Sequence, residues 1–200
     1  MQHVIPSGTK IFQIGFNKCA TRSISVFLRR HGFKTLDWAH GDLAVSIRDA
    51  VAAGRKPLAE WPDVNVFSDM ERIQVRDPIE GYKYFRDLDA AYPGAKFILN
   101  TRNMEAWIKS RHAHGDGGYT EAYRKILGAP DAKSVFDHWR RDWLRHHLDV
   151  LDYFSADRRD RLFIWNIEAP DFAALERFVG VALDPAKWPH QGRTARAGSA

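Results

Sequence analysis

Residues 10–24 read KIFQIGFNKCATRSI, and the reading of this stretch decides the fold of what surrounds it. Residues 10–14 form a short strand-type run, and Gly15 breaks it. Lys18, Thr21, Arg22 and Ser23 come next, after which Ile24, Phe27 and Leu28 recur at helical spacing. A strand turning tightly into a helix gathers the first N–H groups of that helix at one place. Those groups have no partner within the helix, and the helix dipole adds partial positive charge to them. A phosphate or sulfate is the natural occupant of such a place. Lys18 supplies a full charge and Thr21 and Ser23 supply hydroxyl donors, so the stretch predicts an anion-binding loop.

Outward from it, strand and helix patterns alternate. The apolar spacing predicts helices over residues 42–53, 82–92, 104–112, 133–154 and 172–179, and the first helix ends at His31-Gly32. Strands are predicted over residues 34–38, 64–68, 96–101 and 162–165. On the long helix, Phe136, Trp139, Trp143, His147, Val150, Leu151 and Phe154 fall near one face. The run at residues 114–119, with three glycines, reads as a mobile loop or a lid over an acceptor. Such alternation implies βαβ units and a parallel sheet covered on both faces. The expectation is one three-layer α/β domain over residues 1–200, P-loop NTPase-like, with about five parallel strands. The polar residues 190–200 read as a flexible tail. In open sheets of this kind ligands sit beyond the carboxyl ends of the strands, where Asp69 and Arg102 fall.

Composition narrows the classes. The 200 residues are 44% hydrophobic and 12% aromatic, which is enough to bury a core. The net charge is +5. Acidic residues are interleaved with the basic ones, as in Arg140-Arg141-Asp142, which reads as a mixed solvated surface, and a small polyanion explains the remaining excess at least as well as nucleic acid does. No window approaches a membrane span, and the N-terminus lacks the apolar core of a signal peptide. The single cysteine, Cys19, excludes an intrachain disulfide and fits a reducing, cytoplasmic compartment. Cys19 has no His or Asp partner nearby in sequence and reads as loop packing rather than as a nucleophile. The nine histidines show no metal-ligand spacing, and no metal is expected.

An ATP-type loop reads G-x-x-x-x-G-K-[ST]. Here Lys18 lies three residues after Gly15 and no Gly-Lys pair succeeds it. The stretch instead resembles the 5′-phosphosulfate loop of sulfotransferases that use 3′-phosphoadenosine 5′-phosphosulfate (PAPS), commonly G-x-x-K-x-G-T-T-S. Gly15, Lys18, Thr21 and Ser23 match. Ala20 stands where the family usually has Gly, and Arg22 where it usually has Thr. In TRNMEAWIKS, Arg102 and Ser110 stand eight apart, matching the family's Arg-x₇-Ser pair that holds the 3′-phosphate. Asp37-Trp38, VFSDMERI, EGYKYFRDLDAAYPGAKFILNTRN and Trp188-Pro189-His190 also look like segments of bacterial sulfotransferase-domain proteins.

The resemblance implies sulfuryl transfer from PAPS to a hydroxyl or amine of a small-molecule or glycan acceptor, with adenosine 3′,5′-bisphosphate as product. The donor site would comprise Gly15, Lys18, Cys19, Ala20, Thr21, Arg22 and Ser23, through main-chain N–H groups and the two hydroxyls, with Arg102 and Ser110. Lys18 would neutralise the leaving oxygen. Asp69, on the rim where donor and acceptor meet, would be the general base, with Glu71 and His40 as fallbacks. Trp38, Trp61, Trp107 and Tyr119 either line an acceptor cleft or belong to the core. The rival readings are an ATP-dependent kinase and a degenerate anion-binding scaffold, the latter favoured by Ala20 and Arg22.

Overall fold

The computed structural model describes Ile5 and residues 8–189, so the tail expected at 190–200, including His190, lies outside the described residues. The strands are β1 (Ile11–Gln13), β2 (Thr35–Asp37), β3 (Val66–Ser68), β4 (Glu71–Arg72), β5 (Ile79–Glu80), β6 (Lys96–Thr101) and β7 (Leu162–Asn166). The α-helices are α1 (Thr21–Arg29), α2 (Asp42–Ala52), α3 (Phe85–Ala91), α4 (Met104–His112), α5 (Gly118–Leu127), α6 (Ala132–Tyr153) and α7 (Phe172–Val179). Five strands form one sheet in the order β2-β3-β1-β6-β7, and every neighbouring pair is parallel. This is the α/β architecture the alternation implied.

Side chains alternate across the sheet as the period of two demands. On β1, Ile11 faces one core and Phe12 the other; on β6, Ile98 faces the first while Phe97 and Leu99 face the second. The first core is closed by α1 and α7 through Ile24, Phe27, Leu28, Leu175 and Val179. The second is closed by α2 to α6 through Leu43, Ile47, Phe85, Leu88, Trp107, Tyr123 and Trp139. Each fully buried apolar side chain of β6 contributes roughly 2 kcal/mol, which makes this central strand a rigid platform for the groups at its carboxyl end.

Four features differ from the sequence reading. The 82–92 segment begins as a 3₁₀ turn over Gly81–Tyr84 before α3. The glycine-rich run does not stay a loop to residue 119: α5 starts at Gly118, after the left-handed Gly117. A two-stranded antiparallel ribbon, β4 with β5, interrupts the route from β3 to α3. On α6 the buried set is Val135, Trp139, Trp143, His146 and Val150, so His146 replaces His147 in the core and Leu151 faces outward.

The order of strands places the site. From β1 the chain crosses to the edge strand β2, fills the gap with β3, then returns past β1 to add β6 and β7. The reversal opens a crevice at the carboxyl end of β1, beside β6.

Candidate active site

The loop between β1 and α1 is held by side chains from β6 and α4. Gly15 N–H donates to Asn100 Oδ1 at 3.1 Å. Asn100 Nδ2 donates to the carbonyls of Phe16 at 3.1 Å and Cys19 at 3.0 Å. Trp107 Nε1 donates to the Asn17 carbonyl at 3.0 Å, and Arg102 Nη1 to the Lys18 carbonyl at 3.2 Å. Four successive carbonyls are thus engaged by side chains of the platform. Lys18 and Ala20 both adopt left-handed backbone, with φ of 61° and 60°. Alternation of this kind turns main-chain N–H groups toward a common concavity, an anion nest. Gly15 is required for a different reason: a Cβ there would overlap Asn100.

The mouth of the nest is the start of α1. Helices α4, α6 and α7 are capped by the side chains of Asn103, Asp131 and Asp171. The α1 N-cap is Ala20, which offers no capping side chain, and the first turn carries no acid. Thr21 and Ser23 are buried at this turn, and Arg22 between them is exposed, its Nε 3.8 Å from Asp37 Oδ2. Cys19 is fully buried and burial pushes its thiol far up, so it packs the loop and is no nucleophile.

Lys18 is half-buried. Burial lowers its pKa, Arg22 and Arg102 lower it further, and Asp69 opposes them. Three cations and one carboxylate therefore share one electrostatic neighbourhood. Asp69 follows β3 in left-handed backbone, with φ 54°. Its Oδ1 is buried without a hydrogen-bond partner among the described residues. Burial, then Glu71 and Asp37, push its carboxyl up to about 8, against the pull of Arg22 and Lys18. Asp37, at the end of β2, accepts from Ser68 Oγ at 2.9 Å and is itself raised by burial.

Behind Asp69 lies a buried polar cluster. Glu71 accepts from Tyr119 Oη at 2.6 Å and stands 3.6 Å from Arg111 Nη2. Arg111 is fully buried among the rings of Trp107, Tyr119, Tyr123 and Trp139, and donates to Tyr123 Oη at 3.0 Å. Tyr123 in turn donates to Glu80 at 2.8 Å. Glu71 is thus tied into the interior beneath the site. His40 is exposed beside Trp38, their ring centres 5.3 Å apart, at the end of three consecutive left-handed residues, Trp38, Ala39 and His40. His114, from the loop before α5, has its pKa lowered by burial and then by Lys18 and Arg22, which brings that loop to the same neighbourhood.

Arg102 leaves β6 toward the nest. Besides holding the Lys18 carbonyl, its Nε lies 3.8 Å from Glu168 Oε1, beyond β7, and is buried without a hydrogen bond. Ser110 is half-buried two turns along α4, and its hydroxyl makes no hydrogen bond among the described residues. Sequence reasoning missed Asn100, Asp37 as a charged neighbour, Glu168 and Arg111. Of these only Asn100 left a signal, an amide at the end of the otherwise apolar KFILNT strand. Trp107 is core, and its indole N–H shapes the loop.

Residues from the carboxyl ends of all five strands of the sheet meet here: the nest after β1, Asp37, Asp69, Arg102 and Glu168. Fold and site together define an α/β protein whose first loop and helix start gather basic side chains beside a buried carboxyl of raised pKa. A family model described as a sulfotransferase domain matches residues 10–148, and the chain belongs to that family, whose activity is transfer of a sulfuryl group. A search of curated proteins finds no match. Among the described residues no group of His, Cys, Asp and Glu is placed to hold a metal. No helix among them is long and apolar enough to cross a membrane.

Proposed function

We propose that this chain moves the sulfuryl group of PAPS to a hydroxyl, or an amine, of a small-molecule or glycan acceptor. The observation that carries the reading is the shared field of Lys18, Arg22, Arg102 and Asp69 at an uncapped helix start. The nest N–H groups and the Thr21 and Ser23 hydroxyls receive the 5′-phosphate and sulfonate. Arg102, whose Nε has no hydrogen bond, grips the 3′-phosphate with Ser110, and Glu168 holds the guanidinium in place.

The acceptor oxygen attacks sulfur and forms the new S–O bond. The old bond from sulfur to the 5′-phosphate oxygen breaks, and its electron pair stays on that oxygen. The acceptor proton passes to Asp69, and the Lys18 ammonium neutralises the leaving oxygen. A carboxyl whose pKa stands near working pH suits the base role, because enough of it is ionised and its conjugate acid is still a useful proton holder. Electrostatics and positioning carry the rate. A single buried free thiol supports a cytoplasmic setting.

The test is calorimetric titration with adenosine 3′,5′-bisphosphate and, separately, with ATP and Mg²⁺. Binding of the bisphosphate, lost in Lys18→Ala and weakened in Arg102→Ala, is expected. Binding of ATP with Mg²⁺ alone would instead make the protein a kinase, and absence of both heats would leave a scaffold.

A further inference from the structure

The charged residues of α6 divide into two sets. Toward its N-terminus they are paired: Lys133 with Asp137, Arg140 with Glu105 and Asp137, and Asp142 with Lys83. Arg141, Arg145, Asp149 and Asp152 are exposed and form no ion pair or side-chain hydrogen bond among the described residues. Beside these four run Leu144, Leu148 and Leu151, exposed by 54%, 66% and 43%. The spacing of four and then three puts them in one stripe along the helix. Ile164 of the edge strand β7, 50% exposed, faces the side of the sheet that α6 covers. These four account for most of the large exposed hydrophobics of the described residues.

We infer that this stripe is a dimer interface in which α6 packs antiparallel against α6 of a second copy about a two-fold axis near Leu148. A two-fold interface must be complementary to itself, and this one is. Along α6 the unpaired cations come first and the unpaired anions second, on the same flank of the stripe. An antiparallel arrangement about Leu148 lays Leu144 against Leu151 of the second copy. It lays Arg141 and Arg145 against Asp152 and Asp149 of the second copy, twice over. A parallel two-fold arrangement would carry the charged flanks to opposite sides of the seam, where no cation meets an anion. Residues 190–200 contain no Leu, Ile, Val, Met, Phe, Tyr or Trp to lay on the stripe. The interface lies on the outer surface of α6, whereas the site opens at the carboxyl ends of the strands, so both copies would keep free access to donor and acceptor.

Sedimentation velocity over a concentration series tests the assignment. A reversible dimer is expected for the unaltered chain, and a monomer for Leu148→Asp. Arg145→Asp and Asp149→Arg should each weaken association about 10-fold, and the double variant R145D/D149R should recover most of it, because the two residues meet across the axis. Circular dichroism and melting curves check that each variant is folded; if Leu148→Asp is not, the charge-reversal set decides alone. A chain monomeric throughout overturns the proposal. So does a dimer indifferent to Leu148→Asp, or a double variant no better than its single parents.

Discussion

At the residue scale, Ala20 and Asp69 are among the side chains that sit in backbone a glycine or an asparagine would prefer. Ala20 is left-handed at the N-cap of α1. An L-residue there costs about 1–2 kcal/mol, and glycine avoids that strain while giving back part of it as unfolded-chain entropy. Ala20→Gly is therefore expected to raise stability by about 0.5–1 kcal/mol in urea unfolding, with the donor product bound at least as tightly; a lower unfolding midpoint would contradict this. Asp69 is the second case. Its folded pKa is raised, so between its ordinary value and about 8 the folded state holds a proton that the unfolded chain releases. Stability is then lost as pH rises through that window. Asp69→Asn removes the loss and suits the left-handed backbone. Its stability advantage over the parent should grow from pH 5 to pH 8 and then level off. The same variant should lower sulfuryl transfer by about 10²–10⁴-fold and abolish the rising limb of the pH–rate profile near 8. Near-parental turnover by this variant would remove Asp69 from the mechanism.

At the scale of elements, α6 reaches into the loop. Buried His146 donates from Nε2 to the carbonyl of Ile14 at 2.6 Å, just before the nest. Burial lowers its pKa to about 4, so the folded state holds the ring neutral where the unfolded chain would charge it. Between about 6.5 and 4 the unfolded state binds more protons, and stability falls as pH falls. His146→Phe leaves the Ile14 carbonyl unsatisfied and should cost about 1–3 kcal/mol at pH 7. The gap between parent and variant should narrow toward pH 4 in denaturant titrations. A gap constant with pH would mean that the ring is not held neutral. His146 also shows what periodicity alone cannot decide. Residues 146 and 147 are both compatible with the apolar face, and packing against Phe16, Tyr82 and Phe85 settles that 146 is inside.

At the scale of the whole molecule, the legible parts are those that depend on local order. The strand–turn–helix of residues 10–24 and the strand 96–101 declared themselves because their periods and breakers are local. The α/β layers came from the alternation. The ribbon of β4 and β5 was not legible, since two-residue strands carry no period. Helix α5 was obscured by its own glycines, which here form the entry turn rather than a longer loop. The positions of Lys18, Arg22, Arg102 and Asp69 could be guessed from chain order at the strand ends. Their supports were less legible: Asn100 left only an amide at the end of an apolar strand, and Glu168 and Arg111 act through contacts between segments distant in sequence, to which single-chain reading has no access.

One of those supports limits how the protein can change. Asn100 fills the space a side chain at Gly15 would need, and spends its amide on three loop residues. Neither position can drift without the other, and no smaller partner at 100 would restore the lost bonds. The two are locked in sequence space, so novelty must come from the surrounding loops while this turn stays frozen.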